Sequence, residues 1–65
     1  MSIRILDSKK YKGRTIETVW ASNGDSGSHF WLVDGNAQMG FHSRKDAQAF
    51  INGERPRWGA SNLQN

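Results

Sequence analysis

The residues that could perform chemistry are few, and their spacing argues against catalysis. The carboxylates Asp7, Glu17, Asp25, Asp34, Asp46 and Glu54 are scattered along the chain, with no paired spacing for general acid–base work. There is no cysteine, and His29 and His42 are the only histidines. Neither a thiolate nucleophile nor a convincing zinc cage is expected from that set. The stretch Gly24 to Gly27 lacks the lysine and following helix of a phosphate-binding loop. A chain of 65 residues has little room for a substrate pocket, which takes roughly 300 Å³ or more. The expectation is a non-enzymatic protein with no cofactor and no metal.

What remains is the chemistry of binding. Lys9, Lys10, Lys12 and Arg14 surround Tyr11 with no acid among them. Such a cluster can grip phosphates while the tyrosine stacks on a base or sugar. It also reads as a solvated turn whose lysines keep an edge strand from pairing. Arg44 and Lys45 open a helix, where the macrodipole disfavours cations; they complete the nucleic-acid candidates. Arg55 and Arg57 flank Pro56 and lead into Trp58. Arginine and tryptophan are frequent interface anchors and also stack on single-stranded nucleic acid, although Trp58 can equally cap a small core. Trp20 and Trp31 complete the partner-binding set. Three tryptophans are many for this length, and a large apolar group on an uncovered sheet face implies a partner or a second copy.

The formal charge of +3 favours polyanions or acidic protein surfaces. No run suits a signal peptide or a bilayer span, and Met1 leading directly into a strand pattern is the expectation for a complete cytoplasmic protein. A domain this small buries only about 60% of its unfolded surface, and its core supplies roughly 3–5 kcal/mol. Without a disulfide or metal, tight packing or a homo-oligomer must supply the rest.

The elements that position these groups follow from periodicity. Ser2 to Leu6 alternates as a first strand, and Asp7 to Gly13 reads as a polar loop. Arg14 to Ala21 is a β-branched second strand of mixed alternation, which implies two partly covered faces or a bulge. Ser22 to Ser28 is loop in composition and reads as a long mobile hairpin connection. His29 to Asp34 is the most apolar strand, with Phe30 and Leu32 on one face and Trp31 and Val33 on the other. Asp34-Gly35-Asn36 signals a tight turn, and Gln38 to His42 returns as a fourth strand. Ser43 caps a helix from Arg44 to Asn52, with Asp46 three residues on as in a capping box and Gly53 as terminator. Ala47, Phe50 and Ile51 form its apolar stripe.

The expected fold is α+β: an antiparallel sheet of three to four strands with one helix packed on one face, in the order ββββα. Residues 1–53 form a single domain, and residues 54–65 form an extended, non-periodic tail. The expected core is Ile3, Ile5, Ile16, Phe30, Leu32, Met39, Phe41, Ala47, Phe50 and Ile51. Trp31 and Val33 are expected on the second, open face.

Tyr11-Lys12-Gly13-Arg14-Thr15-Ile16, the glycine-rich loop, Phe30-Trp31-Leu32-Val33-Asp34-Gly35 and Phe41-His42-Ser43 with Asp46-Ala47 and Phe50-Ile51 resemble the small orphan proteins of phage and prophage genomes. That resemblance implies an accessory factor binding a host protein or nucleoprotein, in the manner of inhibitors of host defence such as anti-CRISPRs. Phe41 to Ile51 is also similar to the strand–helix end of the three-stranded-sheet DNA-binding domains of tyrosine recombinases and AP2-type factors, which implies a small nucleic-acid-binding domain. Gly27-Ser28-His29 resembles the Gly-Ser-His element of HicA-type messenger-RNA-cleaving toxins, in which the histidine is an acid–base group. Those toxins begin with a helix, whereas this chain begins with strands.

Overall fold

The structure, a computed structural model, describes residues 2–64; Met1 and Asn65, at the ends of the expected domain and tail, lie outside the described residues. The chain forms β1 (Ser2–Tyr11), β2 (Arg14–Asn23), β3 (Ser26–Val33), β4 (Gly40–Phe41), α1 (Arg44–Ile51) and β5 (Ala60–Ser61). All strands join one antiparallel sheet in sequence order. An antiparallel sheet with one short helix among the described residues agrees with the expected α+β class. The order ββββα needs correction, because the tail contributes a fifth strand.

Two-residue hairpins join the three long strands. Lys12 and Gly13 both have positive φ, 51° and 78°, the pattern of a type I′ turn. Gly24 has φ 67° and Asp25 is not left-handed, the glycine-first pattern of a type II′ turn. The expected loop at Asp7–Gly13 is therefore a strand as far as Tyr11. Its polar side chains carry no apolar alternation because β1 is exposed almost throughout. The expected long loop at Ser22–Ser28 is also mostly strand, with Ala21 opposite Ser28, Ser22 opposite Gly27 and Asn23 opposite Ser26. The expected fourth strand is shorter than Gln38–His42. The Asn36 side chain accepts from the Gln38 N–H, and the Asn36 carbonyl accepts from Met39, which holds that segment in turns. The tight turn at Asp34-Gly35 is present, with φ of 55° and 75° and the Asn36 N–H donating to Val33.

The register assigns each side chain to a face, since directly opposed residues share one. Ile16, Thr18 and Trp20 of β2 lie opposite Val33, Trp31 and His29, while Glu17, Val19 and Ala21 lie opposite Leu32, Phe30 and Ser28. Both faces are covered, so β2 carries apolar residues of both parities. Ile16, Val33, Phe41 and Ala47 form one buried cluster, with Trp31, Met39, Phe50 and Ile51 packed against it. Val19, Ala21, Leu32 and Leu63 form the other, with Phe30 beside it. The expected face assignment is thus inverted. Val33 and Trp31 share the cluster of the helical Ala47, and Phe30 and Leu32 sit on the face that Leu63 covers. Ile3 and Ile5, expected in the core, are exposed because β1 is the outermost strand.

The tail is held by pairing as well as by burial. Gly40 lies opposite Ser61 and Phe41 opposite Ala60, and the Leu63 N–H donates to the Ala37 carbonyl at 2.8 Å. Leu63 is only 4% exposed. A Cβ on Gly40 would fall 2.7 Å from Leu63 Cδ1, so the glycine lets the leucine approach the backbone.

The helix start and stop follow their local signals. Ser43 is the N-cap, and its hydroxyl accepts from the Asp46 N–H at 3.1 Å. At the other end Asn52 is the C-cap and Gly53 has φ 78°. Glu54 donates to the Ala49 carbonyl and Gly53 to the Phe50 carbonyl, the paired bonds of a Schellman motif.

Candidate interaction surface

Asp46 organises the C-terminal segment. It is the one buried charged residue among the described residues. Its Oδ1 accepts from the Arg57 N–H at 3.2 Å and its Oδ2 from the Trp58 N–H at 2.9 Å. These bonds satisfy a carboxylate that burial would otherwise penalise heavily. The carboxylate thus ties the tail to the first turn of α1 instead of closing the expected capping box, to which Asp46 contributes only its backbone N–H.

The tie fixes the backbone under Trp58 while its side chain stays 64% exposed. The Arg57 guanidinium lies 5.0 Å from the Trp58 ring centroid, a cation–π contact. Arg44, Lys45 and Arg55 are exposed as well. Asp46 directly follows Lys45 and accepts from the Arg57 backbone N–H, so the tail backbone at Arg57 lies against the first turn of α1. An open hollow of about 350 Å³ lies between His42 and Trp58. His42 is positioned by Ser61, with Nε2 3.0 Å from Oγ, and its ring sits 5.3 Å from that of Phe30. The arrangement can present an exposed indole with one guanidinium over its ring to an anionic surface.

The other basic cluster is divided by the fold. Arg14 pairs with Asp34 through Nη2 at 2.8 Å and Nε at 2.9 Å. The Thr15 N–H donates to the same carboxylate at 3.1 Å. The Thr15 bond first and the Arg14 bond second hold the Asp34 pKa below its ordinary value. Tyr11 and Lys12 bond the Asn52 side chain at the helix end. Lys9 and Lys10 lie opposite Ile16 and Thr15, successive positions that face opposite sides of the sheet.

The remaining tryptophans sit on the same face as each other. Trp20 is 37% exposed and meets His29 edge-on at 5.0 Å. Its indole lies over Gly27, where a Cβ would fall 2.3 Å from the ring. Trp31 is half-buried against the Ile16 cluster, and its indole N–H has no hydrogen-bond partner among the described residues. Gly27-Ser28-His29 lies within β3. Sequence reasoning did not find His42 and Ser61 at this surface, nor the tail-holding part of Asp46. A histidine beside Phe41 was the available signal for the first, and its meaning depends on where β5 pairs.

Among the described residues no group of three His, Cys, Asp or Glu side chains is placed to hold a metal ion. No helix among them is long and apolar enough to cross a membrane. No family model, curated protein or solved structure matches the chain significantly.

Proposed function

We propose that this is a non-enzymatic binding protein of the phage accessory kind, which modulates a host protein or nucleoprotein by occupying an acidic part of its surface. Trp58 is the anchor, and Arg57, Arg55, Arg44 and Lys45 supply charge-assisted contacts around it. The observation that carries this reading is the fixed, exposed Trp58, with its backbone bonded to Asp46 and its ring under Arg57. An anchor already ordered in the free protein loses little entropy on binding. The reading takes α1 as packed on one sheet face, with the tail as part of the binding edge rather than a loose extension. Trp20 is a secondary contact, and Trp31 supports the core.

A protein surface fits better than a nucleic acid for a physical reason. Phosphate binding needs several free cations along one track, whereas Arg14 is paired and Lys9 and Lys10 diverge. The test is a titration with duplex DNA, single-stranded DNA and a glutamate-rich peptide at two salt concentrations. Binding of the peptide that depends on Trp58 and exceeds that of both nucleic acids supports the reading. Tight DNA binding, with a slope of roughly 0.9 log units per phosphate neutralised, would replace it with the nucleic-acid function.

A further inference from the structure

β1 is the outer strand of the sheet and has β2 on one side only. Its exposed residues include large apolar ones, Ile5 at 59% and Leu6 at 51%, with Ile3 nearby. A long open edge with apolar side chains is a template for another strand. The bulge in β1 determines which strand fits. The register shifts between Ile5 and Asp7, so Leu6 is the extra residue. Arg4 lies opposite Trp20 and Asp7 opposite Thr18, two steps apart on β2. The two charges therefore share a face and flank the Ile5–Leu6 step. In a regular strand, residues at this separation would point to opposite faces.

A two-fold axis through the Ile5–Leu6 step makes this edge complementary to itself. It sets Arg4 of each copy opposite Asp7 of the other, twice and on one face. It also gathers Ile5 and Leu6 of both copies at the centre, with Ile3 opposite Ser8 and Ser2 opposite Lys9. No like charges oppose each other in this register. We propose that the chain forms an isologous homodimer by antiparallel pairing of β1 with the β1 of a second copy, joining two sheets into one. The pairing covers exposed apolar side chains in a domain too small to have stability to spare. It uses the sheet edge opposite β5, so both Trp58 surfaces stay free and the dimer is bivalent.

Sedimentation equilibrium tests this from about 10 μM to about 1 mM chain. The wild type should show a concentration-dependent dimer. Arg4→Asp or Asp7→Arg alone should weaken it at least about tenfold, because each sets two like-charge pairs across the axis. The combined Arg4→Asp/Asp7→Arg variant should restore the dimer. Circular dichroism checks that each variant is folded. Hydrogen exchange on the wild type gives a second reading independent of any variant: amides from Arg4 to Ser8 should gain protection as concentration rises. A wild-type monomer throughout, a dimer indifferent to the single reversals, failure of the folded double variant to restore it, or unchanged exchange would each overturn the proposal.

Discussion

Asp46 Oδ2 lies 2.9 Å from the backbone nitrogen of Trp58, so a buried carboxylate in the first turn of the helix sets the position of the most exposed tryptophan. Asp46→Ala removes the acceptor for two backbone N–H groups. The expected loss is about 2–3 kcal/mol, read as a lower urea midpoint. Asp46→Asn keeps part of the acceptor capacity and should cost less. In both variants the Trp58 indole signal should broaden or shift in NMR before global unfolding.

Trp58 itself should matter little for folding. Its side chain is mostly in solvent, so Trp58→Ala should change stability by no more than about 1 kcal/mol. On partner binding the same change should cost about 2 kcal/mol or more, roughly thirtyfold in dissociation constant. A thermal melt and a binding isotherm on the same preparation separate the two effects.

Leu63 and Gly40 should behave as a coupled pair. Leu63→Ala opens a cavity over Val19 and Leu32, at an expected cost of about 2–4 kcal/mol. Against a total of roughly 3–5 kcal/mol that leaves a large unfolded fraction. Gly40→Ala drives a methyl into Leu63 and should cost about 1–3 kcal/mol. Because both act at one contact, the double variant should cost less than their sum by about 0.5 kcal/mol or more. Denaturant melts of the four proteins give this coupling.

The Asp34 carboxylate gives stability a pH dependence. The Thr15 bond first and the Arg14 bond second hold its folded pKa below the ordinary aspartate value. A depressed folded pKa adds stability that is present above the unfolded value and lost as pH falls through the folded one. The wild type should therefore weaken below about pH 4, and Asp34→Asn should lack that component. Urea midpoints across the acid range check the difference in slope, which high salt should reduce.

The helix was legible because its signals are local. Ser43 and Gly53 act within a few residues, whereas the Asp46 carboxylate, expected at the cap, bonds the tail instead; the helix ends one residue short of the expected Asn52, which is its C-cap. The second half of β1 was not legible. Its pairing comes from β2 across a turn with Lys12 at positive φ, a conformation lysine seldom signals. Alternation placed Phe30 and Leu32 opposite Trp31 and Val33, but it cannot say which set faces the helix. Leu63 was missed because one apolar residue in a tail has no period. The candidate surface was legible as a set of residue types: Arg55, Arg57 and Trp58 on the tail, Arg44 and Lys45 on the helix. That the tail backbone at Arg57 and Trp58 lies against the helix start depends on the Asp46 contacts, which are long-range and leave no pattern in sequence.

The central claim is that the Trp58 surface is what holds a partner. The direct measurement is quantitative capture of acidic proteins from a cell lysate by four baits: wild type, Arg57→Ala/Trp58→Ala, Lys9→Ala/Lys10→Ala and Trp20→Ala. The account predicts a partner that binds wild type saturably, is lost with Arg57→Ala/Trp58→Ala, and is retained by Lys9→Ala/Lys10→Ala. Trp20→Ala should weaken it only in part. Equal retention by the Arg57→Ala/Trp58→Ala bait, with loss on Lys9→Ala/Lys10→Ala, would contradict the account and move the binding surface to the β1 hairpin.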